Sequence, residues 1–243
     1  MTLAVLGGLA GCSSGGGPAP LAGTLRVYAS TSLTEAITSM AHGFETTYPA
    51  VKVEVTFAPD TELASKTAAG PAPDVLALEG AAPLATAGPA GAPVHFASNQ
   101  LVLVVAADNP RGLGRLADIG RPDVRLALCD PAEPCGAVTT AVLAAASVPA
   151  PTTAVRVPDV RSALAKLADG SVDAALVYRS DARSVDDTVS TIEFPESRMS
   201  VAEYQAVIPD AAANKAAAQT FLDYLASQST LDALTGGGFL APA

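Results

Sequence analysis

LRVYASTSLTEAITSMAHGF, Leu25 to Phe44, is the stretch that decides the fold. Leu25 to Tyr28 form a short, mostly apolar run, and Leu33, Ile37, Met40, Ala41 and Phe44 then recur at helical spacing. Between the two patterns, ASTSLTEA (Ala29 to Ala36) sets hydroxyls where a strand hands over to a helix. Ser32-Leu-Thr-Glu35 fits the S-x-x-E capping box, in which the serine accepts from the third helical N–H and the glutamate reaches back. Ser30 and Thr31 add hydroxyls that no cap requires. A helix start after a buried strand is where free N–H groups and the macrodipole favour an anion.

The same alternation continues outward. Val51 to Phe57 alternates with period two, as a strand with one wetter face does. Continuous apolar runs at Asp74 to Leu78, Leu101 to Ala107, Val124 to Leu128 and Ala174 to Tyr178 read as strands buried between helices. Val160, Ala163, Leu164, Leu167 and Ala168 mark a helix closed by Asp169-Gly170, and Ala218, Phe221, Leu222 and Leu225 mark the last one. The class is therefore α/β with mainly parallel sheets. Three further helix beginnings repeat the opening theme: Asp60-Thr61-Glu62-Leu63, Pro134-Cys135-Gly136 and Pro158-Asp159-Val160. Singly each is an ordinary cap. Together they are more telling, because in α/β folds ligands sit beyond the carboxyl ends of the strands, where helices begin.

Composition narrows the partners. With 14 Lys and Arg against 24 Asp and Glu, the formal charge is -10, which argues against nucleic acid. An anion bound here must be held locally, which is feasible because charges beyond about 8 Å are largely screened at physiological salt. The 243 residues suit one large α/β domain or two small lobes.

MTLAVLGGLAGCSSGGGPAP opens with an apolar stretch too short to span a bilayer and continues as a flexible Gly/Ser/Pro linker. Leu9-Ala10-Gly11-Cys12 resembles the lipobox of bacterial lipoproteins, which implies cleavage before Cys12 and lipid on its sulfur. An ordinary secretory signal is the rival, and no Lys or Arg precedes the apolar stretch, so the true translation start stays open. Cys129 and Cys135 remain, in LCDPAEPCG. Outside the cytoplasm such a pair forms a disulfide across a tight Pro-containing loop. The rival is a reactive or metal-binding pair, for which the only histidines, His42 and His95, lie far off and no second Cys pair exists.

The order of Ala29-Ser-Thr-Ser32-Leu-Thr, Phe57-Ala-Pro-Asp-Thr-Glu-Leu-Ala64, Gly70-Pro-Ala-Pro-Asp-Val75, Asn99-Gln-Leu-Val-Leu-Val104, Cys129 to Gly136, Asp159-Val160 and Leu176-Val-Tyr-Arg-Ser-Asp-Ala182 resembles the molybdate-binding lipoproteins of ABC importers. The resemblance runs from about Leu25 to Phe239. It implies a two-lobed, type II periplasmic-binding-protein-like fold whose sheets are flanked by helices and joined by two crossover hinge strands. The crossings fall near Asn99 to Leu103 and Val201 to Ala206. Residues 1–23 would be signal, lipobox and linker, residues 24–98 with 203–243 one lobe, and residues 99–202 the other. It also implies a monomeric extracytoplasmic protein, tied to the membrane by lipid on Cys12, that delivers a tetrahedral oxyanion to an ABC permease. The ligand would be molybdate or tungstate, with no cofactor and with metal present only inside that oxyanion. Its holders, carried over by position, are the Ser32 hydroxyl and N–H, the loop at Asp60 and Thr61, the Cys135 and Val160 N–H groups and the Tyr178 phenol. Neutral donors in a closed cleft replace a dianion's hydration through charge-assisted hydrogen bonds, each roughly twice as strong as a neutral one.

Two departures set limits. The family pattern has serine where this chain has Asp60, and a small residue at Pro59. Two unit charges at about 4 Å repel by about 4 kcal/mol at an effective dielectric near 20, on the order of a thousandfold in affinity. Either Asp60 turns away as an N-cap, the favoured reading, or it faces the cleft and accepts a proton from a protonated oxyanion such as hydrogen phosphate. At Leu78-Glu79-Gly80 the family tends to have Ser-Ala-Asp, which changes the neighbouring cleft wall. A lipid-anchored module that has lost oxyanion binding is a further alternative. An enzyme is not expected: no Ser/His/Asp arrangement is apparent, the G-x-x-x-x-G-K phosphate loop is absent, and His42 and His95 read as structural.

Overall fold

Residues 21–242 are described by the computed structural model. The apolar leader, the Cys12 lipobox and the linker up to Pro20 lie outside them. From Leu25 the chain follows its pattern. Strand β1 (Gly23–Ser30) buries Leu25, Val27 and Ala29 and runs in parallel register with β2 (Val51–Ala58), Val27 facing Val55. Helix α1 (Thr34–Thr47) buries Ile37, Met40, Ala41 and Phe44, the stripe that its 3.6-residue spacing dictates. The Phe44 ring meets Phe221 of α7 (Lys215–Leu225) edge to face, with centroids 5.1 Å apart. Tertiary packing of this aromatic face holds the helix.

Helix α2 (Asp60–Ala69) follows β2, and β3 (Val75–Glu79), α3 (Ala81–Ala87) and β4 (Val94–Asn99) complete the first half. The second half holds β5 (Leu101–Ala106), β6 (Leu126–Cys129), α4 (Pro134–Ala145), β7 (Val155–Val157), α5 (Val160–Ala168), β8 (Ala174–Tyr178), the short α6 (Arg179–Arg183) and β9 (Val189–Ile192). The chain then returns through β10 (Ala202–Val207) to the first half. The opening sheet has the order β2-β1-β3-β10-β4 and the other β7-β6-β8-β5-β9. Strands joined through helices pair in parallel, β1 with β2 and β3, and β6 with β7 and β8. The antiparallel pairs all involve β5 or β10, which flank the passages between sheets.

Gln100 alone separates β4 from β5, so the first passage is where the resemblance put it. The second occupies residues 193–201, around a 3-10 turn at Pro195–Met199. Val201 to Ala206, expected to carry that crossing, is almost wholly β10 of the opening sheet. Nor is α7 the last helix: α8 (Gln228–Gly236) follows, capped by Ser227 and burying only Thr230 and Leu234. Two buried residues in nine give too little apolar periodicity to announce a helix. The buried side chains of both sheets form one contiguous core, and Leu63, Ala64, Leu76, Leu78 and Val207 make a smaller one under α2.

Candidate functional site

The hydroxyls of the opening stretch do not cap their helix. Thr31–Leu33 form a 3-10 turn ahead of α1, and neither the N-cap of that turn, Ser30, nor that of α1, Leu33, makes a side-chain cap bond. The capping box expected of Ser32 and Glu35 is therefore not formed. The 3-10 turn moves the helix start past Ser32, and Glu35 instead pairs with Arg161 of α5 at 2.6 Å. Ser32 is buried, and its Oγ accepts from the Tyr204 phenol at 2.9 Å and lies 3.0 Å from Ser30 Oγ.

A continuous web grows from this point. Ser30 Oγ donates to Asp60 Oδ2 at 2.9 Å, the Glu79 N–H donates to Asp60 Oδ1 at 2.8 Å, and the Tyr178 phenol donates to Glu79 Oε1 at 2.5 Å. Because Ser30 gives its proton to Asp60 and Ser32 accepts from Tyr204, the Ser32 proton is left to point at Ser30. Ser30 and Tyr178 are thus turned toward carboxyl groups of the protein itself, and Tyr204 and Ser32 reach Asp60 through Ser30. Tyr178 and Tyr204 stand edge to face with centroids 6.4 Å apart and belong to different sheets, so the web crosses from one half to the other.

Asp60 was expected to turn away as an N-cap, and it does not. Pro59 is the N-cap of α2, and Asp60, its first helical residue, sends its carboxyl inward to the Ser30 hydroxyl and the Glu79 N–H. These two donors satisfy an otherwise unpaired buried acceptor, which outweighs a cap bond that water could replace. Burial pushes this carboxyl up from 3.8 to about 7, against the pull of the Glu79 N–H and the Ser30 hydroxyl, and the charge of Glu133 pushes the same way as burial. Glu79, at 2% exposure, is raised well above the ordinary carboxyl value by burial first and by the Asp60 charge next. The Tyr178 phenol rises by burial and by facing Glu79. The two buried carboxyls are linked through the Glu79 N–H, and ionising Asp60 makes ionising Glu79 harder. A protonated carboxyl, unlike a carboxylate, is also an O–H donor.

The other expected residues are gathered around the web. Thr61, the second residue of α2, donates its hydroxyl to the Glu133 carboxylate, which lies just before α4 in the other half. Cys135 is buried in the first turn of α4 and is bonded to Cys129 with the Cα atoms 5.8 Å apart, so the pair is a disulfide. Gly136 lets this turn press on the loop before it, where a Cβ would collide with the Asp130 carbonyl. Val160 opens α5 behind Asp159, whose carboxylate caps the Ser162 N–H at 2.7 Å, and α5 packs on the turn that carries Ser32. Contacts thus run from α5 to the Ser32 turn, from that turn to α2 and from α2 to the start of α4, while no hydrogen bond among the described residues joins Cys135 or Val160 to the web.

A cavity of about 510 Å³ opens on one side of the web, walled by Thr61, Glu79, Gly80, Glu133, Pro134 and Ala202, and a second of about 190 Å³ on the other is lined by Ser32, Ser180 and Phe239 among others. The first is in the range of small-ligand clefts, roughly 300–1,000 Å³. Asp181 sits in α6 with neither carboxyl oxygen hydrogen-bonded among the described residues, and burial raises it well above the ordinary value. No described group of three or more His, Cys, Asp or Glu side chains is placed to hold a metal ion. Sequence reasoning missed Tyr204 and noted Glu79 only as a departure. The one available signal was a carboxylate ending the otherwise apolar run of β3.

Comparison with known proteins agrees with this architecture. A profile of the family described as bacterial extracellular solute-binding protein matches residues 25–240. The molybdate-binding proteins ModA of Mycobacterium tuberculosis and Mycobacterium bovis are 32% identical over 234 residues, covering 95% of this chain and 89% of theirs. Among solved structures, the periplasmic molybdate-binding protein of Azotobacter vinelandii superposes with a TM-score of 0.78 at 18% identity, over 90% of this chain and 100% of that one. The sulfate-binding protein SubI of Mycobacterium tuberculosis does so with 0.77 at 15%, over 90% and 86%. Both likenesses establish the two-lobed fold.

Proposed function

This chain belongs to the bacterial extracellular solute-binding proteins, and from that premise we propose that it captures a tetrahedral oxyanion, molybdate or tungstate, and delivers it to the permease of an ABC importer. What supports the reading is the chain of contacts between four helix starts: α5, opened by Val160, packs on the Ser32 turn, Ser30 bonds Asp60 at the start of α2, and Thr61 bonds Glu133 just ahead of Cys135 in α4. Free N–H groups at helix starts attract an oxyanion. Ser32, Thr61 and Tyr178 carry O–H groups that turn from Ser30, Glu133 and Glu79 to the ion when it binds, and the 32% identity to mycobacterial molybdate-binding proteins points to the same ligand class. Residues 24–98 with 203–243 and residues 99–202 act as lobes that close on the ion, hinged at Gln100 and at residues 193–201. No cationic side chain has to let go of the ion, although opening the lobes parts the Glu35–Arg161 pair. The protein works outside the cytoplasm as a monomer held by lipid on Cys12, and it transforms nothing.

Asp60 favours a second reading. Its inward carboxyl suits an oxyanion that brings its own proton, such as hydrogen phosphate. Thermal melting with molybdate, tungstate, sulfate and phosphate separates the two. A ligand at 100 times its Kd stabilises the native state by about 2.7 kcal/mol, and at about 2–4 °C per kcal/mol this raises the melting temperature by roughly 5–11 °C. A rise with molybdate or tungstate supports the first reading, a rise with phosphate alone the second, and no rise with any of the four refutes both.

A further inference from the structure

The web poses a problem for any oxyanion. Tyr178, Ser30 and the Glu79 N–H all donate to Glu79 or Asp60, and Tyr204 and Ser32 pass their protons along the same line. With ionised carboxylates at its end, this line holds its donors inward and sets negative charge where the ligand must sit. With neutral carboxyls the attraction falls away, and Glu79, which walls the larger cavity, gains an O–H donor there, while a neutral Asp60 behind it removes a buried charge.

Resting on the oxyanion reading, we propose that ligand capture is coupled to proton uptake by Asp60 and Glu79: the two carboxyls are neutral donors in the bound state, and their ionisation expels the ligand. The geometry is specific to this pair. Asp60 and Glu79 are linked through the Glu79 N–H, and both are nearly inaccessible to solvent. The charged or titratable groups facing them are Glu133 ahead of α4, Tyr178 of β8, Tyr204 of β10 and Asp181 of α6. Those groups are acids throughout. Arg161 bears on Asp181 and is itself paired with Glu35. With acids alone facing the pair among the described residues, a proton from solvent supplies the counter-charge. The ion's own charge raises both carboxyls further and draws that proton in. Reciprocity then requires affinity to rise as pH falls. Asp60 and Glu79 are specificity-determining residues on this account. They restrict high affinity to conditions in which the protein supplies protons, even for an ion such as molybdate that carries none at neutral pH.

The test is calorimetric titration of the full chain with sodium molybdate between about pH 6 and 9, each pH measured in two buffers of different ionisation enthalpy. One proton taken up makes Kd rise about tenfold per pH unit above about pH 7, and two make it about a hundredfold. The apparent enthalpy then differs between buffers by the protons absorbed. Asp60→Asn and Glu79→Gln, each a neutral near-isostere, remove one proton from the count and flatten the slope, and either one reports the effect if the other fails to fold. A Kd constant within about twofold across the range, with heats independent of buffer, overturns the inference while leaving the oxyanion reading intact. So does a wild-type slope retained in both variants. Absence of molybdate heat at every pH overturns both.

Discussion

Asp60→Asn tests the buried carboxyl without any ligand. The carboxyl has its ordinary value of 3.8 in the unfolded chain and about 7 in the native protein. Below about pH 4 both states hold the proton and no penalty exists. As pH rises from there toward about 7, the unfolded chain loses its proton while the native state must keep it, so stability falls across that window and is flat above it. The difference in pKa corresponds to on the order of 4 kcal/mol at about 1.4 kcal/mol per unit. Asparagine cannot titrate, so the variant escapes this loss. It still accepts from the Glu79 N–H, and a rearranged bond to Ser30 costs about 1–3 kcal/mol at every pH. The variant is accordingly expected to be less stable than the wild type near about pH 4 and more stable near about pH 8, the difference swinging by about 4 kcal/mol. The Glu79 carboxyl amplifies the swing, because the Asp60 charge that raises it is gone. Urea unfolding at about four pH values measures it directly. A difference that stays constant within about 1 kcal/mol from about pH 4 to 8 refutes the account of a carboxyl that burial keeps protonated.

Two further outcomes concern the α4 start. Replacing Cys129 and Cys135 by serine, or reducing the disulfide, opens a loop with a sequence separation of 6 and is expected to cost about 2 kcal/mol of stability; unfolding with and without reductant checks this, and equal midpoints would count against it. Gly136→Ala drives a methyl into the Asp130 carbonyl, which at the ordinary cost of overpacking lowers stability by about 1–3 kcal/mol, seen as a lower urea midpoint at unchanged slope.

The α/β alternation was legible in the sequence because burial on both faces writes itself as continuous apolar runs, and a packed helix face as 3.6-residue spacing. β8 begins and ends on the residues expected, as does α5, whose exit Gly170 adopts a φ of +73°. Weak periodicity hid α8, and the second passage between sheets lay a few residues earlier than expected because Ala202 to Val207 carry the burial pattern of an ordinary strand. The helix starts of the site were legible for a related reason: Ser32, Asp60 and Cys135 each come after a run readable as a strand, and Val160 opens a helical stripe behind Asp159, although the short β7 before it left no pattern to read. What those side chains do could not be read. Capping and ligand binding call for the same residue types at the same place, and only the fold decides which a hydroxyl serves. Ser32 fits a capping box in one dimension, and Tyr204, 172 positions away, takes it for a different bond in three. Asp60 carries the sharper lesson. A carboxylate in a site for anions looks like an obstacle as long as its charge is assumed, and its charge depends on burial, on the N–H of Glu79 brought from 19 positions along the chain and on the acid Glu133 from the other half. Sequence spacing contains none of these. A residue that appears to forbid a function can instead set the pH at which the function operates, and the sign of that effect is fixed by the environment the fold assembles.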